Sequence, residues 1–298
     1  GGGVSDGTLT DQDGFYFGKV QALKVTVSEK PSETVYLKGF IGTDYTGTAF
    51  EEADGESFVQ AASLWKLDGN VSLEVENLPF LRTYYAENVV FTGEGDDAKP
   101  ELSANAASSA VTLQVENLAA NPSYTYVPYG AFFNDYYQVL GGDGALAGQS
   151  VQQDIFSCYP RKQLEETLED WNETKQQEST LDQAESAYAA YVQAHCSSLP
   201  ENLSYLQEEF APEVETKESA DPKEAEKNWE KIKTAVVSEL AGKYEFVREP
   251  EAVPEGKDFV EWFLKESKEG NSVHFAAAAT MLLRACGMPA RYVVCLLY

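Results

Sequence analysis

The segment from Asp258 to Tyr298 has the residue pattern expected around a catalytic nucleophile. A mixed polar stretch leads to Gly270, Asn271 and Ser272, and an almost wholly apolar helix is predicted from Val273 to Cys286. A side chain at the start of such a helix lies near unpaired backbone amides and the positive end of the helix dipole, which favour an anion. The side chain at this place is a hydroxyl, since the residue is Ser272. Its ordinary alternative is a helix N-cap, a role that serine often fills.

Two histidines could in principle act as a base for Ser272, and neither is well placed. His274 is two residues away, and positions i and i+2 of a helix do not face each other. His195 lies on a separate predicted helix beside Tyr188 and Tyr191. We therefore interpret both histidines as packing residues. With so few histidines and no Cys-x-x-Cys pair, neither a metal site nor a cofactor site is predicted.

The cysteines are predicted to have structural rather than catalytic roles. Cys286 falls on the apolar helix and Cys295 on the strand after it, so both are expected to be buried thiols. A disulfide between Cys158 and Cys196 stays open for an extracellular protein, because sequence spacing does not determine disulfide geometry.

The strongly negative net charge of the chain restricts the classes of partner that it can bind. The 298 residues include 49 acidic and 22 basic side chains, for a net charge of -27. Such a surface repels nucleic acid and anionic lipid, so no nucleic-acid partner is expected. No run of 18 apolar residues occurs, and no membrane span is predicted in this chain. The polar start, GGGVSDGTLTDQDG, fits an exported protein without its targeting segment and fits a cytosolic protein equally well.

Alternating apolar and polar residues predict short strands through residues 1–160. Turn signals separate them regularly, which favours a β-sandwich over a parallel sheet. One insertion around Phe58 and Trp65 has helical spacing instead. The predicted strands are Leu23–Glu29, Val35–Gly42, Val71–Leu78 and the segments NVVFTGE, AVTLQVENL and YTYVPYGAF.

A helical middle segment is predicted for residues 161–243 and a mixed segment for residues 244–298. A helix starts after Asp221 and Pro222, a favourable cap and first-turn pair. Its predicted apolar stripe consists of Trp229, Ile232, Ala235, Val236 and Leu240. In the last segment, Asp258 is expected to cap a helix that ends at Gly270. Gly287 should end the apolar helix with a left-handed cap before a central strand that starts at Arg291. The fold class is therefore α+β.

The last segment resembles the bacterial transglutaminase-like family, which has a papain-like core. Members show Gly-x-Cys-x-x-Phe-Ala at the start of a helix, then Leu-Arg-x-x-Gly-Ile-Pro-Ala-Arg and a strand. The resemblance covers about fifty residues from Tyr244 onward. A weaker resemblance links the first part of the chain to membrane-anchored surface proteins of Gram-positive bacteria. The matching positions are Gly270, 272, Phe275, Ala276, Leu283, Arg284, Gly287, Met288, Pro289, Ala290 and Arg291.

The resemblance implies acyl transfer through a thiolate. A cysteine at position 272 would attack, a histidine on a following strand would take its proton, and an aspartate would orient that histidine. The acyl group would then pass to an amine or to water. The implied substrate is a surface protein or peptide, and the implied location is the cell surface, anchored to the membrane in the full-length protein.

Two departures from the family pattern predict an inactive form. Position 272 is a serine, and a helix dipole worth about 0.3–1 kcal/mol cannot make an alkoxide of its hydroxyl. The family's histidine and aspartate have no match among the residues up to Tyr298. Arg284 and Arg291 are interpreted as internal pairing groups. The alternative function is a non-catalytic extracellular binding or scaffold protein, in which tyrosines of the sandwich stack on a cell-wall polymer.

Overall fold

A computed structural model of the chain describes eleven stretches and two isolated positions in detail. The two positions are residues 30 and 34, and the longest stretch covers the whole region around Ser272. The stretches are residues 7–10, 21–28, 36–52, 89–92, 99–102, 111–124, 126–128, 131–132, 153–158, 190–214 and 222–297.

The described strands fall into a four-stranded sheet, a three-stranded sheet and three two-stranded pairs. Most of them lie in the first half of the chain, where alternation predicted them. The strands are β1 (Leu23–Val27), β2 (Tyr36–Gly42), β3 (Asp44–Tyr45), β4 (Phe50–Glu51), β5 (Val89–Thr92), β6 (Lys99–Leu102), β7 (Val111–Asn117), β8 (Val127–Pro128), β9 (Ala131–Phe132), β10 (Gln153–Cys158), β11 (Glu245–Phe246), β12 (Glu269–Gly270) and β13 (Tyr292–Leu297).

The described helices all follow residue 189. Two short 3₁₀ turns, Glu201–Leu203 and Ala211–Glu213, flank the second of them. The helices are α1 (residues 190–195), α2 (Tyr205–Glu209), α3 (Pro222–Lys243), α4 (Phe259–Trp262, continued by a π-helical turn at Phe263–Ser267) and α5 (Ser272–Ala285).

The four-stranded sheet confirms the strand predictions of the first segment in part. Its order is β1-β7-β10-β9, and every neighbouring pair is antiparallel. The predicted β-sandwich of residues 1–160 stays a prediction. The insertion around Phe58 and Trp65 and the strand Val71–Leu78 lie outside the described residues.

The three-stranded sheet joins the first and last parts of the sequence. Its order is β13-β2-β8, so β2 is its middle strand. Tyr292 lies opposite Gly42, and the register shifts between Val294 and Cys295. The prediction that the strand after Arg291 is central is therefore wrong for the described sheet, where β13 lies at an edge. Sequence hydrophobicity showed that this strand is apolar but not which strand would pair with it.

Helix α5 packs one face into the core and leaves another partly open. Ala277, Ala278 and Met281 are completely buried. Ser272 and Ala276 are exposed, and the half-buried Ala279, Leu283 and Cys286 continue that face. Although the helix is almost wholly apolar, the rest of the described chain therefore does not enclose its outer face.

Two further sequence predictions need correction. The helix capped by Asp258 ends at Ser267 rather than Gly270, because Lys268 takes the left-handed conformation (φ 57°) and β12 follows. Trp229 is 52% exposed and does not belong to the buried stripe of α3, where Ile232, Val236 and Leu240 are buried.

The ends of α3 and α5 agree with prediction. Helix α3 starts at Pro222 and ends at Lys243, the last residue of the predicted middle segment. Gly287 has a φ of 76°. It donates to the Arg284 carbonyl at 2.9 Å, and Met288 donates to the Leu283 carbonyl at 3.0 Å, the paired bonds of a Schellman cap. The division of the chain into the three predicted segments, residues 1–160, 161–243 and 244–298, stays a prediction. In the described part of the chain, no helix is both long and apolar enough for a membrane span.

Candidate functional site

The start of α5 is capped by Asn271 and not by Ser272. Asn271 has extended backbone angles, and its Oδ1 accepts from the backbone amide of Val273 at 3.0 Å. Its carbonyl accepts from the Phe275 amide at 3.1 Å. Ser272 is then the first helical residue and is exposed to solvent. The predicted cap role of Ser272 is therefore wrong, because its neighbour Asn271 supplies the cap.

Gly270 allows β12 to approach the first turn of α5 closely. A Cβ at this position would lie 2.6 Å from the Cβ of His274 and 2.8 Å from a ring atom of Phe263. Real Cβ atoms do not approach neighbours so closely, so a larger residue would push β12 away from the helix. The glycine of the Gly-x-Ser pattern thus has a packing role that sets the position of Ser272.

His274 lies in the core directly beneath this turn. Its ring is 2% exposed. The ring centroid is 4.3 Å from that of Phe259 and 5.4 Å from that of Phe263. Its Nδ1 lies 3.1 Å from Oδ1 of Asn271, and that oxygen already accepts from Val273. Nδ1 therefore carries the proton and donates it, which leaves Nε2 as a buried acceptor with no partner among the described residues.

Burial lowers the pKa of His274 to about 4, because the charged ring would lose its hydration without gaining a carboxylate. The ring is therefore neutral at physiological pH. Its Nδ1 is occupied by Asn271, and its Nε2 faces the core. The structure confirms the prediction that His274 is a packing residue rather than a base for Ser272.

His195 belongs to the opposite end of α5. Its Nδ1 lies 3.2 Å from one carboxylate oxygen of Asp44 and 3.3 Å from the other. The next residue, Cys196, accepts a backbone bond from Ala290, which follows the C-terminal cap of α5. From Ser272 to Arg284 the helix axis spans roughly 18 Å at 1.5 Å per residue. The structure does not bring His195 and Ser272 together.

Arg284 confirms its predicted role as an internal pairing group. Its guanidinium is buried and donates to three backbone carbonyls, those of Ala290 (2.7 Å), Ser198 (3.1 Å) and Thr43 (2.6 Å). Burial lowers the pKa of this guanidinium, and the nearby Cys196 and Asp44 counter that effect. With its donors turned inward to the backbone, Arg284 is not available to clamp a substrate.

The described cysteines have no role beside Ser272. Cys286 and Cys295 are half-buried rather than buried, and burial raises the pKa of the Cys286 thiol. Cys196 is a buried thiol, which leaves the disulfide alternative with Cys158 without support. In the ranges that the structure describes, no group of three or more His, Cys, Asp or Glu side chains could hold a metal ion.

An apolar surface borders Ser272 on the side of β11. This strand runs parallel to β12, with Phe246 opposite Gly270. The Phe246 side chain is 60% exposed. Its ring centroid is 6.3 Å from that of Phe275, which lies one turn after Ser272. The groups available here are a hydroxyl at a helix start and two aromatic rings, one on the adjoining strand and one on the same helix.

Sequence reasoning missed Asn271 and Phe246. Asn is a favoured N-cap and directly precedes Ser272, but Ser is favoured about equally, so cap preference did not distinguish the two residues. Phe246 carried no signal, because its place beside Ser272 depends on the pairing of β11 with β12 across more than twenty residues.

The last part of the chain is similar to a known protein family. Residues 215–298 match the family model described as the transglutaminase-like superfamily. No curated protein matches the chain.

A solved structure shares the fold. The periplasmic domain of TgpA from Pseudomonas aeruginosa bound to ethylmercury aligns with a TM-score of 0.51 and 15% identity, over 98% of this chain and 81% of that one. A second structure of the same periplasmic domain aligns with a TM-score of 0.46 and 15% identity, over 91% and 73%. The family match alone indicates a transglutaminase-like superfamily domain in residues 215–298.

Proposed function

We propose that this protein is a relative of the transglutaminase-like acyl-transfer enzymes and peptidases whose thiol chemistry is absent in this form. The observation that carries the proposal is the exposed hydroxyl of Ser272 at the first position of α5. The helix start, the cap by Asn271 and the close approach of Gly270 are the supports that a nucleophile at this place requires.

The serine side chain at position 272 accounts for the proposed loss of thiol-based acyl transfer. A free cysteine has a pKa of about 8.5 and becomes a thiolate at a helix start, whereas a serine hydroxyl needs a neighbouring base to attack an acyl group. The nearest histidine in sequence is His274, which is neutral, buried and bonded to Asn271. His195 pairs with Asp44 near the other end of α5. Neither described histidine activates Ser272.

The proposed substrate is a protein or peptide outside the cytoplasm. The fold is that of a periplasmic domain, which supports an extracellular or periplasmic location for this chain as well. The net charge of -27 disfavours nucleic acid and anionic membrane surfaces as partners. Anchoring to a Gram-positive cell surface is part of the proposal and rests on the sequence resemblance alone.

The test restores the thiol in the full chain by Ser272→Cys, with Ser272→Ala as the matched control. We expect neither the native protein nor Ser272→Ala to incorporate a primary amine into a glutamine peptide. We expect the introduced thiol to react with iodoacetamide well below pH 8.5, the ordinary pKa of a cysteine, as followed by mass spectrometry of the peptide that contains position 272.

Two outcomes would contradict the proposal. Amine incorporation or peptide hydrolysis by the native protein that Ser272→Ala abolishes would mean that the serine is itself active. An introduced thiol with an ordinary pKa would mean that the start of α5 no longer activates a nucleophile. In that case the transglutaminase-like ancestry would not bear on the present function.

A non-catalytic binding role is the second candidate. One described aromatic side chain of the first segment favours it, since Tyr36 on β2 is 50% exposed and offers a ring for stacking on a sugar. Binding of the intact chain to a panel of cell-wall glycans, lost in Tyr36→Ala, would support this role. No binding across the panel would remove it.

A further inference from the structure

We propose that Phe246 and Phe275 form an apolar subsite beside Ser272 that takes a large apolar side chain of the acyl-donor peptide. This inference rests on the proposed function, because it treats Ser272 as the position at which the acyl group is presented. It names one property of the substrate: an aromatic or bulky aliphatic residue next to the acyl-bearing residue.

Backbone hydrogen bonds hold Phe246 in place beside the candidate site. The amide of Glu245 donates to the Lys268 carbonyl at 2.8 Å, and the amide of Val247 donates to the Gly270 carbonyl at 2.9 Å. Phe246 lies between these two bonds, opposite Gly270. Gly270 is two residues before Ser272, so the position of this aromatic side chain is tied to that of the candidate nucleophile.

The ring of Phe275 is held in place by packing against the core. Phe275 is half-buried, and its ring centroid lies 5.4 Å from that of the buried Phe263. Tyr244 packs on the same Phe263 ring with centroids 5.0 Å apart. Phe275 therefore has a supported position on the first turn of α5. Phe246 tilts toward it at 46°, with 60% of its own surface open to solvent.

Phe246 differs from other exposed apolar side chains in its position in the fold. Trp229 and Val237 are exposed on α3, and Leu118 follows β7. Among these, Phe246 alone is on a strand bonded to the segment that leads into Ser272. Ala276, one turn after Ser272, is exposed as well and extends the same apolar surface along α5. A peptide that presents an acyl group at Ser272 has this surface beside it.

The experiment compares two alkylating reagents on the full-length Ser272→Cys protein. Iodoacetamide is small, and N-benzyl iodoacetamide carries a ring on the same reactive group. The rate of each reagent at the introduced thiol is divided by its rate with glutathione. This division corrects for the difference in intrinsic reactivity between the two reagents. Mass spectrometry of the peptide containing position 272 separates this thiol from the native cysteines.

We expect the benzyl reagent to be preferred by roughly two- to tenfold, the range of a single aromatic pair. Adding Phe246→Ala or Phe246→Ser should bring the ratio close to one, and Phe246→Tyr should retain the preference. Trp229→Ala is the matched control, because it also removes a half-exposed ring, and it should leave the ratio unchanged. Thermal unfolding shows that each variant is folded before its rates are compared.

Two results would overturn the subsite. One is a ratio near one in the Ser272→Cys protein. The other is a preference that survives both Phe246→Ala and Phe246→Ser. A different result would contradict the proposed function, namely an ordinary pKa for the introduced thiol at position 272, measured with iodoacetamide alone. A preference that depends on Phe246 together with an ordinary thiol pKa would show an apolar binding surface near position 272 but would overturn its assignment to an acyl donor.

Discussion

His274 connects the protonation state of its imidazole ring to the start of α5. Its Nδ1 donates to the oxygen of Asn271 that also caps the helix, and its ring lies between Phe259 and Phe263. Protonation would place a charge in this apolar contact without a carboxylate partner. The residue therefore links the pH of the solution to the helix start that presents Ser272.

We expect stability to fall as the pH is lowered from about 6.5, the ordinary pKa of histidine, toward the folded pKa of about 4. The unfolded chain binds a proton in this window and the folded chain does not, so the stabilisation is complete above the window. The loss attributable to His274 is on the order of 3 kcal/mol. Urea unfolding of native protein and His274→Gln across this range measures it.

The many carboxylates of this chain add their own pH dependence, so the difference between native protein and variant is the relevant quantity. That difference should shrink as the pH falls, because only the native protein has the buried imidazole to protonate. Parallel pH profiles for the two proteins would mean that His274 keeps an ordinary pKa.

At the scale of elements, the hairpin of β3 and β4 holds the first turn of α4. Asp258 caps this helix by accepting from the Glu261 amide at 2.9 Å. Tyr45 donates its hydroxyl to the same Asp258 carboxylate at 2.8 Å and accepts from the Val260 amide at 3.1 Å. Burial, followed by the Asp258 charge, raises the pKa of Tyr45 well above its usual range. The cap is therefore shared between residues more than 200 positions apart.

We expect Asp258→Ala to lower the free energy of unfolding by about 1–2 kcal/mol, the cost of a lost N-cap. Tyr45→Phe should cost about 1–2 kcal/mol, because the Val260 amide loses its partner. The two changes should not add, since they break one network, and a coupling energy above about 0.5 kcal/mol is expected from denaturant unfolding of the double variant. Additive losses would show that the cap and the hairpin act independently.

Across the whole molecule, Arg284 joins segments that are far apart in sequence. It connects the loop between β2 and β3, the chain after α1 and the turn before β13 through the carbonyls of Thr43, Ser198 and Ala290. The stacking of Tyr292 on Phe50, with ring centroids 4.8 Å apart, adds a second contact between the first and last segments. The transglutaminase-like domain is thus packed against strands from the start of the chain.

We expect Arg284→Ala to destabilise the protein by about 3 kcal/mol or more, because one buried and two partly buried backbone carbonyls lose their donor at once. Arg284→Lys should recover only part of this loss, since an ammonium cannot reproduce the planar fork of donors. Arg248→Ala removes an exposed arginine and should change stability by less than about 0.5 kcal/mol. Full recovery by lysine would mean that the positive charge, rather than the geometry of the bonds, is what matters.

Patterns within a few residues of each other predicted much of the local structure around the site. The cap by Asp258, the start of α3 at Pro222 and the left-handed Gly287 follow from backbone groups that need partners close in sequence. The family motif likewise predicted that position 272 opens a buried helix. Where two adjacent residues could both cap, at Asn271 and Ser272, local preference did not discriminate.

The sequence alone indicated a helix that begins next to Gly270 and Asn271, and the hydroxyl of Ser272 at its start. Tertiary structure decided that β2 rather than another strand pairs with β13, that His274 is buried and neutral, and that Phe246 lies opposite Gly270. The physical reason is the distance along the sequence over which each kind of interaction acts. Caps and turns satisfy hydrogen bonds between near neighbours, whereas strand pairing, burial and the bonds of Arg284 to residues as far as 241 positions away depend on how the whole chain packs.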